Sequence, residues 1–87
     1  MKLNNIIEFL DTNNFNYTTN TINDETVTIY IRLTDAQHVY VCIKCFDNIC
    51  ERGVYSFYEN RNKIVENDFI TTNFINVFLT SFIKNPT

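Results

Sequence analysis

Two neighbouring stretches constrain this chain more than any other feature. From Thr26 to Thr34, Val27, Ile29, Ile31 and Leu33 alternate with Thr28, Tyr30, Arg32 and Thr34. Val39, Val41, Ile43 and Cys45 then repeat the pattern opposite Tyr40, Cys42 and Lys44. A period of two predicts strands, because successive side chains leave a strand on opposite faces. Thr34, Asp35, Ala36 and Gln37 form a short polar interval, so the two runs predict an antiparallel hairpin with one apolar face. That face needs a cover, and the sequence on either side supplies it.

Before the hairpin, Leu3, Ile6, Ile7 and Leu10 stand at helical spacing, with Glu8 and Asp11 off the stripe, which predicts a short amphipathic helix over Lys2 to Asp11. The Asp-Thr-Asn-Asn cluster from Asp11 to Asn14 ends it, since Asn adopts the left-handed conformation that glycine would otherwise supply. Phe15 to Ile22 alternates aromatic with polar and β-branched residues and predicts an edge strand. After the hairpin, Asp47 and Asn48 mark a turn, and Ile49 to Tyr58 predicts a further strand with Gly53 at a bulge or tight bend. Asn60, Arg61 and Asn62 form another turn, and Asn67 or Asp68 is placed to cap a last helix. That helix is expected over Phe69 to Lys84, with Ile70, Phe74, Val77, Phe78 and Phe82 on its apolar stripe, Lys84 near its C-terminus and Pro86 stopping it. The expectation is therefore an α+β fold: an N-terminal helix, an antiparallel three- to four-stranded meander, and a C-terminal helix on one sheet face. Its 87 residues suit a single domain over 1–87 with a radius of gyration of about 12 Å.

Composition excludes several functions. Gly53 is the only glycine, which removes the glycine-rich phosphate cradles of nucleotide-dependent enzymes. Seven Lys and Arg against ten Asp and Glu give a net charge of −3, with no adjacent basic residues, so direct nucleic-acid binding is disfavoured. No apolar run approaches the ~20 residues of a membrane helix, and Glu8 and Asp11 interrupt the first apolar stretch. These features predict a soluble protein of the host cytoplasm with no membrane partner. Fourteen Asn and eleven Ile suggest an AT-rich coding sequence, as in a virus or mobile element, yet only four Lys accompany them. That imbalance suggests an acidic or neutral interaction face.

Cys42, Cys45 and Cys50 form C-x2-C-x4-C with His38 four residues upstream, which raises a zinc-stabilised binding domain as one alternative. Strand alternation sends Cys42 and Cys45 to opposite faces, so the expectation is no metal, no cofactor and three reduced thiols, with Cys45 in the core. His38 is the only imidazole, neither Ser56 nor Ser81 stands in a nucleophile elbow, and Glu51, Glu59 and Glu66 form no recognisable pair; the chain is not expected to be an enzyme. The hairpin's second side is more informative. Tyr30, Arg32, Tyr40, Cys42 and Lys44 share it, with Tyr55 and Phe57 or Tyr58 as extensions, and tyrosines beside arginine suit a protein interface. The partner-binding candidates are accordingly Tyr30, Arg32 and Tyr40, with the loop acids Asp24, Glu25 and Asp35.

The stretches LNNIIEFLDTNNFNYT, ETVTIYIRL and HVYVCIK, within residues 2 to 45, resemble the small phage-encoded anti-CRISPR proteins that inhibit Cas9, in the type built of a helix, three strands and a helical tail. The resemblance implies a non-enzymatic protein that binds and inhibits a Cas nuclease or other host defence protein through acidic side chains. Here Asp47, Glu51, Glu59, Glu66 and Asp68 are interleaved with Arg52, Arg61, Lys63 and Lys84, a departure from DNA mimicry that leaves inhibition by another route, such as blockade of a domain interface or a catalytic site. The alternative from a different class is a homo-oligomeric viral accessory or structural protein, a homodimer in its simplest form.

Overall fold

A computed structural model describes residues 1–23 and 25–83. Helix α1 (Leu3–Thr12) is followed by strands β1 (Asn16–Asn23), β2 (Thr26–Arg32), β3 (Gln37–Phe46), β4 (Ile49–Glu59) and β5 (Asn62–Ile70), and by a C-terminal helical segment. The segment is α-helical over Thr71–Asn73, π-helical over Phe74–Phe78 and 3₁₀ over Leu79–Phe82. All five strands form one antiparallel meander in the order β1-β2-β3-β4-β5. The radius of gyration is 12.5 Å.

The sheet has five strands rather than three or four because Asn62–Ile70 extends β4's partner where the sequence suggested a turn and a capped helix. Asn67 and Asp68 pair with Tyr55 and Val54 inside β5, and the helical segment starts only at Thr71. The later start also shifts its buried stripe to Phe74, Ile75 and Leu79, while Val77 is 71% exposed and Ile70 lies on the sheet. Hydroxyls interfere with a regular helical ladder here: Thr80 Oγ1 donates to the Ile75 carbonyl at 2.7 Å and Ser81 Oγ to the Phe78 carbonyl at 2.6 Å. Lys84 and Pro86 lie outside the described residues.

Asparagine does the work of the missing glycines. Asn14 (φ 59°) ends α1 in a Schellman arrangement: the Phe15 amide donates to Leu10 at 2.9 Å and the Asn14 amide to Asp11 at 3.2 Å. The Phe9 and Phe15 rings stack over that end, 6.0 Å between centroids. Asp47 (φ 50°) with Asn48 (φ 66°), and Asn60 (φ 51°) with Arg61 (φ 69°), make two-residue hairpin turns with both central residues left-handed, the form that follows strand twist.

Both helical elements cover the same face. Ile6 and Leu10 of α1 and Phe74, Ile75 and Leu79 join Val27, Ile29, Ile31, Val39, Val41, Ile43, Cys45 and Cys50 in one core. Over β4 and β5 the core is aromatic: Phe69 stacks on Phe74 at 4.4 Å, and Tyr55 approaches Phe74 at 5.2 Å and Phe78 at 4.7 Å. Gly53 permits this packing. A Cβ there would lie 2.5 Å from the Cys42 carbonyl oxygen and 2.6 Å from Phe69 Cζ. The irregularity itself falls beside it, where Lys44 pairs with Arg52 but Cys45 pairs with Cys50, leaving Glu51 as the extra residue.

The expectation of three reduced thiols is corrected. Cys45 and Cys50, partners across β3 and β4 with Cα atoms 4.3 Å apart, form a disulfide, and both are buried. Two cysteines flanking a tight hairpin are brought opposite each other by the turn, a proximity that sequence spacing alone did not reveal. The same corner holds the N-terminus: the Cys50 amide donates to the Met1 carbonyl at 2.6 Å and the Leu3 amide to the Asn48 carbonyl at 2.9 Å.

Candidate functional site

With both helical elements on one face, no described element covers the other face of the sheet. Register places on it Tyr30 and Arg32 of β2, His38, Tyr40, Cys42 and Lys44 of β3, Arg52, Val54, Ser56 and Tyr58 of β4, and Lys63, Glu66, Asp68 and Ile70 of β5. Tyr30, Arg32 and Tyr40 therefore share one surface, as the alternation predicts, with Tyr30 42% and Tyr40 45% exposed. Of the suggested aromatic extensions only Tyr58 belongs here. Tyr55 and Phe57 pair with Val41 and Val39, whose side of the sheet is the core side, so both point under the helical segment.

Tyr30, His38 and Tyr58 form a row across three strands. Tyr30 and His38 lie 5.1 Å apart between centroids, and His38 stacks on Tyr58 at 4.9 Å with planes 11° apart. Each ring restricts its neighbour, so part of the ordering that binding would require is already made in the fold. His38 is not among the interface candidates read from the sequence, although it stands two residues before Tyr40 on the same alternation. Beside the row, Arg32 Nη2 meets Asp35 Oδ1 at 2.7 Å. Asp35 thus joins the tyrosine end of the face, whereas Glu25 lies at the other end of β2, its amide held by Asn23 Oδ1 at 2.8 Å. Glu25 and Asp35, the two described loop acids, do not converge on one site. Asp24 lies outside the described residues.

Ser56 is buried and donates through Oγ to Glu66 Oε1 at 3.0 Å, and Lys63 Nζ reaches the same oxygen at 3.2 Å. The Lys63 ammonium, and secondarily the Ser56 hydroxyl, hold the Glu66 carboxyl below the ordinary glutamate value by stabilising its charged form. Across the sheet, Tyr17 Oη donates to Asp11 Oδ1 at 2.6 Å, which raises the phenol's pKa because the bond is lost when the phenol ionises.

Charge on this face differs from the acidic or neutral interaction face that the composition suggests. Arg32, Lys44, Arg52 and Lys63, four of the six Lys and Arg side chains among the described residues, stand on it; register places the acids Glu66 and Asp68 there, and Glu51 at the bulge lines a groove with Lys44 and Arg52. Lys44 and Arg52 are directly opposite each other, an unfavourable like-charge pair that pairing creates and linear order conceals. They line a groove of about 400 Å³ with Val54, Asp68 and Ile70. Cys42 is a free thiol on this face, opposite in direction to Cys45, so the C-x2-C pair does not converge. Among the described residues no three His, Cys, Asp or Glu side chains gather as a metal site, and no helix is long and apolar enough to cross a membrane.

No protein-family model, curated protein or solved structure matches the chain.

Proposed function

We propose that this chain is a non-enzymatic protein that acts by binding a macromolecular partner through its open sheet face. In the fuller form of this reading, consistent with the anti-CRISPR resemblance, the partner is a host Cas nuclease or other defence complex, and binding inhibits it. One observation carries the proposal: a five-stranded sheet keeps both helical elements on one side and leaves a surface of Tyr30, Tyr40, the ordered Tyr30–His38–Tyr58 row and four cations on the other. Aromatic side chains with arginine, set on rigid strands, provide desolvated contact at low ordering cost. The cations favour a partner whose contacting surface is acidic, and attraction of that kind speeds encounter.

The test compares the protein with a Tyr30→Ser/Tyr40→Ser double variant, in capture from CRISPR-bearing bacterial lysate and in a cleavage assay with the captured nuclease. Both proteins are expected to show similar far-ultraviolet circular dichroism. The original should retain a nuclease component at near-stoichiometric yield and slow its cleavage, and the variant should do neither. Equal capture by a folded variant would place the interface elsewhere; recovery of the chain alone from several lysates would overturn the inhibitor reading.

A further inference from the structure

Among the described residues the meander has two free edges, and they are built differently. Edge β5 carries Lys63, Glu66 and Asp68, and its register is broken between Phe57 and Tyr58 of β4, where Ile64 is the extra residue. Charges and a bulge are the ordinary protections of an exposed edge against pairing with another strand. Edge β1 is bulged only at its far end, where Ile22 is the extra residue between Thr21 and Asn23; over Asn16 to Thr21 the sequence NYTTNT contains no charge, proline or glycine and the register with β2 is unbroken.

Pairing parity shows what β1 offers. The Cys45 amide donates to the Glu25 carbonyl and the Leu33 amide to the Gln37 carbonyl, which makes Thr26–Lys44 and Arg32–His38 non-hydrogen-bonded pairs of the β2–β3 ladder. Thr28, Tyr30 and Arg32 therefore direct their main-chain groups to Asn20, Thr18 and Asn16. The amides and carbonyls of Tyr17, Thr19 and Thr21 consequently face outward along the free edge.

We infer that β1 is a dimerisation edge that pairs antiparallel with β1 of a second copy of this chain, joining two sheets into one of ten strands. Centred on Thr19, a two-fold pairing sets Thr19 against Thr19, Tyr17 against Thr21 and Thr18 against Asn20, with roughly six main-chain hydrogen bonds. Every side chain then meets a neutral one, which favours self-pairing over a charged foreign strand. Centred on Glu66, the equivalent pairing of β5 would oppose two carboxylates. One open edge and one guarded edge make the assembly close at two copies instead of growing into a filament. Neither a tyrosine nor a cation of the open sheet face takes part, so this inference stands apart from the proposed partner binding.

Sedimentation across a concentration series tests it. The expected result is a rise from the 10.3 kDa monomer toward twice that mass and no further, with exchange of the Thr19 amide slowing in parallel. Thr19→Pro removes an outward amide that the sheet does not use, a substitution edge strands tolerate, and should hold the protein at monomer mass. Thr19→Lys, which sets like charges across the two-fold axis, provides a second variant and should weaken dimerisation most at low salt. Monomer mass at every concentration would overturn the inference, as would a dimer unaffected by either folded variant, or growth beyond two copies.

Discussion

The covered and open faces of this sheet draw on the same five strands and differ in what their side chains must satisfy. On the covered side, Leu10, Ile29, Ile31, Val39, Val41, Ile43 and Leu79 are almost fully removed from water, and the aromatic group around Phe69, Phe74 and Tyr55 closes over Gly53. On the open side, polar groups at sheet level are answered locally: Thr28 Oγ1 donates to the Asn20 carbonyl and Ser56 to Glu66, beneath longer side chains that remain half in solvent. Stability is concentrated on the first face, leaving the second freer to be chosen for contact. The comparison makes quantitative expectations for each side.

The largest effect is expected from Phe74→Ala, which empties the centre of the aromatic group and should reduce unfolding free energy by about 3–5 kcal/mol, measured by denaturant titration. Loss of less than about 1 kcal/mol would show that the helical segment contributes little to the covered face. Gly53→Ala should cost about 1–3 kcal/mol, because the added methyl meets both a ring that can shift and a backbone carbonyl that cannot readily do so. Thr71→Val should act in the opposite direction. The Thr71 hydroxyl is buried at the start of the helical segment with no hydrogen-bond partner among the described residues, and its removal at constant shape should add about 1 kcal/mol.

On the open side, Tyr40→Ser should change stability by no more than about 1 kcal/mol in the same titration. A loss matching that of Phe74→Ala would make the two faces equivalent and end the comparison. The smallest effect concerns pH. Because the folded Glu66 pKa lies below its unfolded value, its contribution is present above the ordinary glutamate range and is lost as pH falls through the lowered folded value. Melting curves between neutral pH and about pH 3 should therefore show a slightly smaller acid-induced loss for Glu66→Gln than for the original protein. Identical acid limbs would mean that the Ser56–Glu66–Lys63 contact contributes no folding linkage.

Much of the fold was legible where the alternation was clean. The β2–β3 hairpin, the edge position of β1, the apolar stripe of α1 and the left-handed Asn14 all follow from residue periodicity and turn chemistry. The last third was less legible: Ile70, Phe74, Val77, Phe78 and Phe82 fit helical spacing, but β-branched residues and an available neighbour strand favoured extension as far as Ile70. The candidate face was partly readable, since Tyr30, Arg32 and Tyr40 share a parity, while Tyr55 and Phe57 were assigned to it because the β4 register was undetermined. Cys50 was invisible as a bonding partner for the same reason.

The sequence by itself determined which positions alternate, where left-handed turns fall and which helix stripe seeks cover, because these depend on residues close together in the chain. Tertiary structure decided the number of strands, the pairing of Cys45 with Cys50, the meeting of Lys44 with Arg52 and the contrast between the two edges. Those depend on which strands become neighbours and in what register, and a shift of one residue moves every side chain to the opposite face.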